Sequence, residues 1–343
     1  MISNLPHAHA GTVCHGRFRL RPEGFRVTEQ LIEAPSGEGE HSLVLVEKTG
    51  QNTAWVARWL ARAAGCAQRD VGYCGLKDRH AVCRQWFSVP RTVQMADLDP
   101  PVGVTVVGVE RHHRKLRLGS HAENHFELEL ELDQHGGHFL ARVRAVAEHG
   151  CPNWFGAQRF GRDGGNLTRA RSWFESGARV RRDQRGFMLS AARAELFNCF
   201  LALRVRAGTW NQACDGDVLN LDGSGSVFAV DAVDADIVRR VETLDVHPTG
   251  PLWGRGEAVK DSGAADRERE LLADESALME GLEANGLRAE RRALRMVPGR
   301  LTAAIDEAQR SATLAFSLRP GQFATAVLQE IGVFSDGAVA ENA

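Results

Sequence analysis

The sequence predicts an α+β fold in which a half-buried antiparallel sheet is interrupted by an inserted second domain. Three observations carry that expectation. Phe126-Glu127-Leu128-Glu129-Leu130-Glu131-Leu132 alternates strictly, the period of a strand with one face inward. Trp55, Val56, Trp59, Leu60 and Ala63 recur at three- and four-residue spacing, the period of an amphipathic helix. After Cys151-Pro152-Asn153 the texture changes, and a chain of 343 residues exceeds the size at which one core usually stops growing.

In chain order, residues 26–29 form a short strand and 42–46 a second one, rich in Val and Leu. Residues 53–64 form a helix, capped by Asn52 or Thr53 and ended by Gly65. The β-branched run 102–109 and the alternating run 126–132 are further strands, and 139–148 is a second helix. Beyond Asn153 come Arg-rich loops, short strands within 215–230, and one long helical pattern over 267–284 that stops at Asn285-Gly286. The last segment reads as a strand from Thr313, a turn at Pro320-Gly321 and a short helix to Ile331, returning to the first sheet.

Lys and Arg number 42 against 44 Asp and Glu, so the formal charge is -2, but the charges are segregated. Arg111-His112-His113-Arg114-Lys115-Leu116-Arg117 is basic, 158–193 carries nine arginines, and 231–283 is acidic. Such runs are either solvated faces or the footprint of a polyanion. No apolar run approaches the roughly 20 residues of a membrane span. Seven scattered cysteines without a Cys-x-x-Cys pair fit reduced thiols, and Met1 to Gly11 lacks signal-peptide character, so a cytoplasmic protein is expected.

No P-loop, Gly-x-Gly-x-x-Gly, His-Glu-x-x-His or Gly-x-Ser-x-Gly is present. Attention falls on Gly72-Tyr73-Cys74-Gly75-Leu76-Lys77-Asp78-Arg79-His80. Here Gly75 would let backbone approach a substrate, and neighbouring cations would hold Asp78 ionised and attract a phosphodiester. A turn-capping Asp would read the same way. Asn124 and Phe126 share one strand face, an amide and a ring suited to a flipped-out base, although Phe126 would serve equally as core. His112 and His113, adjacent on a strand, would point to opposite faces and make a poor metal pair. In 152–167, glycines, aromatics and arginines interleave as in an RNA-contacting loop or a domain hinge.

These clusters, in this order, resemble the TruD family of tRNA pseudouridine synthases. The resemblance opens at Leu20-Arg21-Pro22-Glu23-Gly24-Phe25-Arg26-Val27-Thr28-Glu29, with Gly24 where the family usually has Asp. It continues through Gly75-Leu76-Lys77-Asp78-Arg79-His80-Ala81-Val82, the stretch from Arg114 to Phe126, and Pro152 to Leu167. It closes at Leu189-Ser190-Ala191-Ala192-Arg193, Asp215-Gly216-Asp217 and Pro320-Gly321-Gln322-Phe323-Ala324-Thr325.

The resemblance implies a pseudouridine synthase catalytic domain, a mixed and largely antiparallel sheet with flanking helices, formed by 1–149 and 301–343. An α+β domain would be inserted at 150–300. It further implies isomerisation of uridine-13 in the D-arm of tRNA without metal or cofactor; nothing in the sequence suggests an obligate interface, so a monomer is expected. Asp78 then matches the catalytic aspartate, Phe126 the aromatic that packs on the base, and Asn124 the active-site amide. Phe25 and Phe323 match further active-site aromatics, and Arg19 stands where a family lysine pairs with the aspartate. The alternatives are an RNA-binding protein without catalysis and a synthase acting on another RNA.

Overall fold

The computed structural model describes residues 5–133, 137–260, 262–306, 308 and 310–337. The fold is α+β, and the chain divides into two compact units. One comprises the described residues of Gly11–Arg144, Pro298–Ala324 and Ile331–Ala343; the other comprises those of Met1–Ala10, Ala145–Val297 and Thr325–Glu330. Of the segment expected to close the catalytic domain, 338–343 lie outside the described residues.

The first unit begins with β1 (Cys14–Phe18), β2 (Phe25–Leu31), β3 (His41–Lys48), α1 (Thr53–Ala63), β4 (Gly72–Tyr73), β5 (Val82–Val89), β6 (Val104–His112) and β7 (His121–Leu132). Helix α2 (Gly137–His149) leads to β8 (Cys151–Pro152), α3 (Gly165–Ser176), α4 (Arg182–Arg206), β9 (Val218–Leu221), β10 (Val227–Ala229), α5 (Ala235–Glu242) and β11 (Val246–Leu252). Next come α6 (Ala264–Leu271), α7 (Ser276–Ala284), β12 (Glu290–Ala293) and β13 (Arg295–Met296). The chain closes with β14 (Gly299–Asp306), β15 (Ser311–Leu318), α8 (Ala324–Ile331) and β16 (Gly332–Asp336).

In the first unit the sheet runs β14-β15-β7-β2-β5-β3-β6, with β1 joined to β7 and β16, and β4 to β5. All pairings are antiparallel except β1 with β16 and β2 with β5. Alternation in β7 does what its period dictates: Leu128, Leu130 and Leu132 are buried while Glu127 and Glu129 face solvent. Strand β7 lies between β2 and β15, so the closing segment returns to the first sheet in register, Phe316 opposite Phe126 and Leu318 opposite Asn124. Beside it β1 approaches so closely that a Cβ on Gly16 would run into the carbonyl oxygen of Glu131.

Helix α1 covers β3 and β5, with Val56 and Leu60 packed against Val44, Val46 and Phe87. The Asn52 side chain accepts from the Trp55 amide at 2.8 Å, the cap that its sequence position predicts. Its apolar stripe ends on buried Ala64 rather than on Ala63, which is exposed.

The second unit holds a four-stranded sheet in the order β10-β9-β11-β12 and the pair β13-β8. Two expectations fail here. Residues 182–206, read as Arg-rich loop, form the 25-residue helix α4. From Met188 onward it buries Ala191, Ala192, Ala194, Leu196, Phe197, Phe200 and Leu201, nearly all round, so no single-face periodicity marks it in the sequence. By length and composition alone α4 could cross a membrane, yet it packs on β11, α3 and α7 as a core helix does. The helical pattern over 267–284 is two helices: Leu272 leaves helical geometry, and Ala273–Glu275 form a 3-10 turn. Neither Gly nor Pro punctuates that break.

Candidate active site

Strand β1 ends at Phe18, and Arg19 turns the chain with a left-handed φ of 58°. Because β16 runs parallel to β1 with Asp336 opposite Phe18, a carboxylate arrives beside that turn. The segment between β4 and β5 delivers a second, Asp78. The Arg19 guanidinium joins them: Nη1 donates to Asp78 Oδ2, Nη2 to Asp336 Oδ2, and Nε to Asp336 Oδ1 at 3.0 Å. Only 9% of the Arg19 side chain and 25% of that of Asp78 is exposed, so water screens the bridge weakly. A planar fork can hold two carboxylates at once, which a lysine ammonium does with less geometric definition.

Burial pulls the Asp78 carboxyl upward, but the Arg19 charge, the His80 amide and the hydrogen bond from Arg19 outweigh it. The group therefore lies below the usual carboxylate range and is ionised at neutral pH. The His80 amide donates to Asp78 Oδ1 at 3.1 Å. Lys77, adjacent in the motif, is not the partner that its position in the chain suggests. Its Nζ donates to Glu29 Oε2 at 2.5 Å, with both side chains almost fully buried. Gly75 packs on this pair; a Cβ there would sit 3.2 Å from Lys77 Nζ.

Aromatic rings line the same region. The Arg19 guanidinium carbon lies 5.3 Å from the ring centroids of both Phe18 and Phe25. Phe25 meets Phe126 edge-on at 6.2 Å, and Phe126 stacks on Phe316 at 5.3 Å. Asn124, two residues before Phe126 on β7, shares a hydrogen bond with His121 Nε2 at 3.0 Å through Nδ2, leaving Oδ1 buried without a partner among the described residues. Phe323 is half-buried in the segment between β15 and α8, five residues beyond Leu318, which lies opposite Asn124.

The fold thus joins Arg19, Asp78, Phe25 and Phe126 in one contact network, adds Asn124 two residues before Phe126 on β7, and places Phe323 beyond the exit of β15. Asp336, Phe18 and Phe316 join them without having been singled out from the sequence. Phe316 carried a local signal, an aromatic inside the strand run 313–318, but Asp336 carried none.

Elsewhere the motifs resolve differently. His113 follows the end of β6, so its ring turns back to lie 4.4 Å from that of His112, and the two do not point to opposite faces. Glu33 lies within 4.8 Å of both, but its carboxylate already accepts Arg114 at 2.6 Å. In 152–167 the aromatics Trp154, Phe155 and Phe160 are buried, and Arg159 and Arg292 lie against the Phe155 ring. Exposed cations in the second unit include Arg162, Arg179, Arg181 and Arg182. Arg179, Arg181, Arg182 and Arg185 line a groove beside Trp173.

A sheet of this topology with an interrupting α+β unit is shared with the crystal structure of the putative tRNA pseudouridine synthase D from Methanosarcina mazei. The TM-score is 0.72 over 96% of each chain at 19% identity, so the two chains share a fold. The model of the family "tRNA pseudouridine synthase D (TruD)" matches residues 7–169 and 165–331. Curated tRNA pseudouridine synthases D from Methylococcus capsulatus and Xanthomonas axonopodis pv. citri are 45% and 44% identical; each alignment covers 97% of this chain and 95% and 96% of theirs. This chain belongs to the tRNA pseudouridine synthase D family.

Proposed function

We propose that this protein converts uridine-13 in the D-arm of tRNA to pseudouridine, with Asp78 as the catalytic carboxylate. The observation that carries the proposal is the ionised Asp78 carboxylate, held by Arg19 beside the Phe25 and Phe126 rings, in a member of this family. The reaction breaks the N1–C1′ bond, turns the uracil, and forms a C5–C1′ bond. The C5 proton is lost, N1 gains a proton, and no redox partner is consumed. Asp78 serves as nucleophile or as general base at the sugar.

The base must leave its stack, at a cost of roughly a few kcal/mol, which stacking on Phe126 and phosphate contacts offset. Asn124 offers a hydrogen bond to a base edge, and Phe25 and Phe323 exclude water from a site where free uracil must not escape. We assign the catalytic domain to 1–149 and 301–343 and the inserted domain to 150–300, and place the protein in the cytoplasm as a monomer.

The test is Asp78→Asn. Turnover of tRNA should be lost while tRNA affinity is kept; pseudouridine formation at the wild-type rate would move the catalytic role away from Asp78. Mapping pseudouridines in total RNA from a strain lacking the gene identifies the substrate, and an unchanged tRNA position 13 would refute the assignment.

A further inference from the structure

Lys48 is the last residue of β3 and among the largest fully buried side chains of the described residues, 1% exposed. A lysine at that depth normally carries a carboxylate partner. Among the described residues none pairs with it. Its ammonium donates instead to three main-chain carbonyls: Asp78 O at 2.6 Å, Gln51 O at 2.8 Å and, at the limit of a hydrogen bond, Lys77 O at 3.5 Å. An ammonium has three protons, and these carbonyls together with the neighbouring Cys83 sulfur are the acceptors it meets. Desolvation lowers its pKa, opposed by the neighbouring Cys83 and Asp78.

The segment that Lys48 grips has no ladder of its own: 75–78 are neither helix nor strand. Its other tethers come from outside as well. Gln85 Nε2 donates to Gly75 O at 2.6 Å, the Lys77 amide to Thr53 Oγ1 at 2.9 Å, and the Gly50 amide to Arg79 O at 2.9 Å. At Asp78 itself the main-chain carbonyl has, among the described residues, only Lys48 and, more weakly, the Cys83 thiol at 3.5 Å.

We infer that Lys48 is a positioning residue, whose buried ammonium fixes the Asp78 peptide and thereby aims the Asp78 carboxylate. The inference rests on the reading of Asp78 as catalytic. Arg19 holds the carboxylate from the side-chain end and Lys48 holds the carbonyl from the backbone end, so Asp78 is constrained on both sides of its Cα. The site is thereby set before RNA arrives, which is what pre-organisation requires.

The test compares Lys48→Met, of similar length without donors, with Lys48→Gln, which keeps an N–H donor but no charge. Single-turnover pseudouridine formation on tRNA should fall about 10- to 100-fold in the Met variant and less in the Gln variant. Affinity for tRNA should stay within about twofold of wild type in both. A rate within about twofold of wild type in the Met variant overturns the inference. So does a parallel loss of affinity and rate, since it would mean that Lys48 holds the unit rather than the loop. If the Met variant does not fold, the Gln variant decides by the same two criteria. Asp78→Asn is run alongside: activity there would remove the underlying reading, whereas an inactive Asp78→Asn beside a fully active Lys48→Met would remove only the role of Lys48.

Discussion

At the scale of residues, one arginine decides the state of the site. Arg19 is the charge that outweighs the desolvation of Asp78, and removing it would leave two carboxylates, Asp78 and Asp336, side by side in a partly dry place. Asp78, with its folded pKa below the unfolded one, contributes stability above the unfolded value of about 3.9 and loses it as pH falls through the folded value. Asp78 should therefore impose no acid limb on kcat/KM between about pH 5 and 8. In Arg19→Gln that limb should move upward, because the desolvation of Asp78 would then act without the opposing guanidinium. A pH–rate profile measures this, and an unmoved limb would separate Arg19 from the ionisation of Asp78.

At the scale of elements, β7 is the spine of the first unit, since β1, β2 and β15 all pair with it. Its two faces should respond oppositely to substitution. Leu130 is 2% exposed, so Leu130→Ala should cost about 2–5 kcal/mol in denaturant unfolding. Glu129, whose ion pair with Arg21 lies at the surface, should cost no more than about 1 kcal/mol when replaced by Ala. Equal costs at 129 and 130 would contradict the alternation. The strand was legible because a two-residue period is local information. The length of α4 and the break between α6 and α7 were not: a helix buried nearly all round has no stripe, and a turn without Gly or Pro leaves no mark.

At the scale of the whole molecule, a chain of formal charge -2 has to bind a polyanion through local surfaces. Many of its arginines are already engaged internally: Arg171 with Glu275, Arg181 with Asp183, Arg193 with Glu290. Arg179 and Arg182, exposed beside the groove near Trp173, are better placed to meet phosphates. Replacing both with Ala should weaken tRNA binding and flatten the dependence of log affinity on log salt, by about one for each phosphate that the protein no longer neutralises. An unchanged salt slope would exclude this groove from the RNA footprint.

The sequence by itself determined the α+β class, the central alternating strand, the capped helix α1 and the ordered motifs that mark the family. Each is written in periodicity or in contiguous residues, which the chain carries before it folds. Apart from the Arg19–Asp78 pair that the family resemblance implied, tertiary structure alone decided the charge partners. Arg19 meets Asp78 across 59 residues and Asp336 across 317, while Lys77, next to Asp78 in the chain, turns to Glu29. An ion pair forms between groups that folding desolvates together, and no spacing along a chain records which those will be.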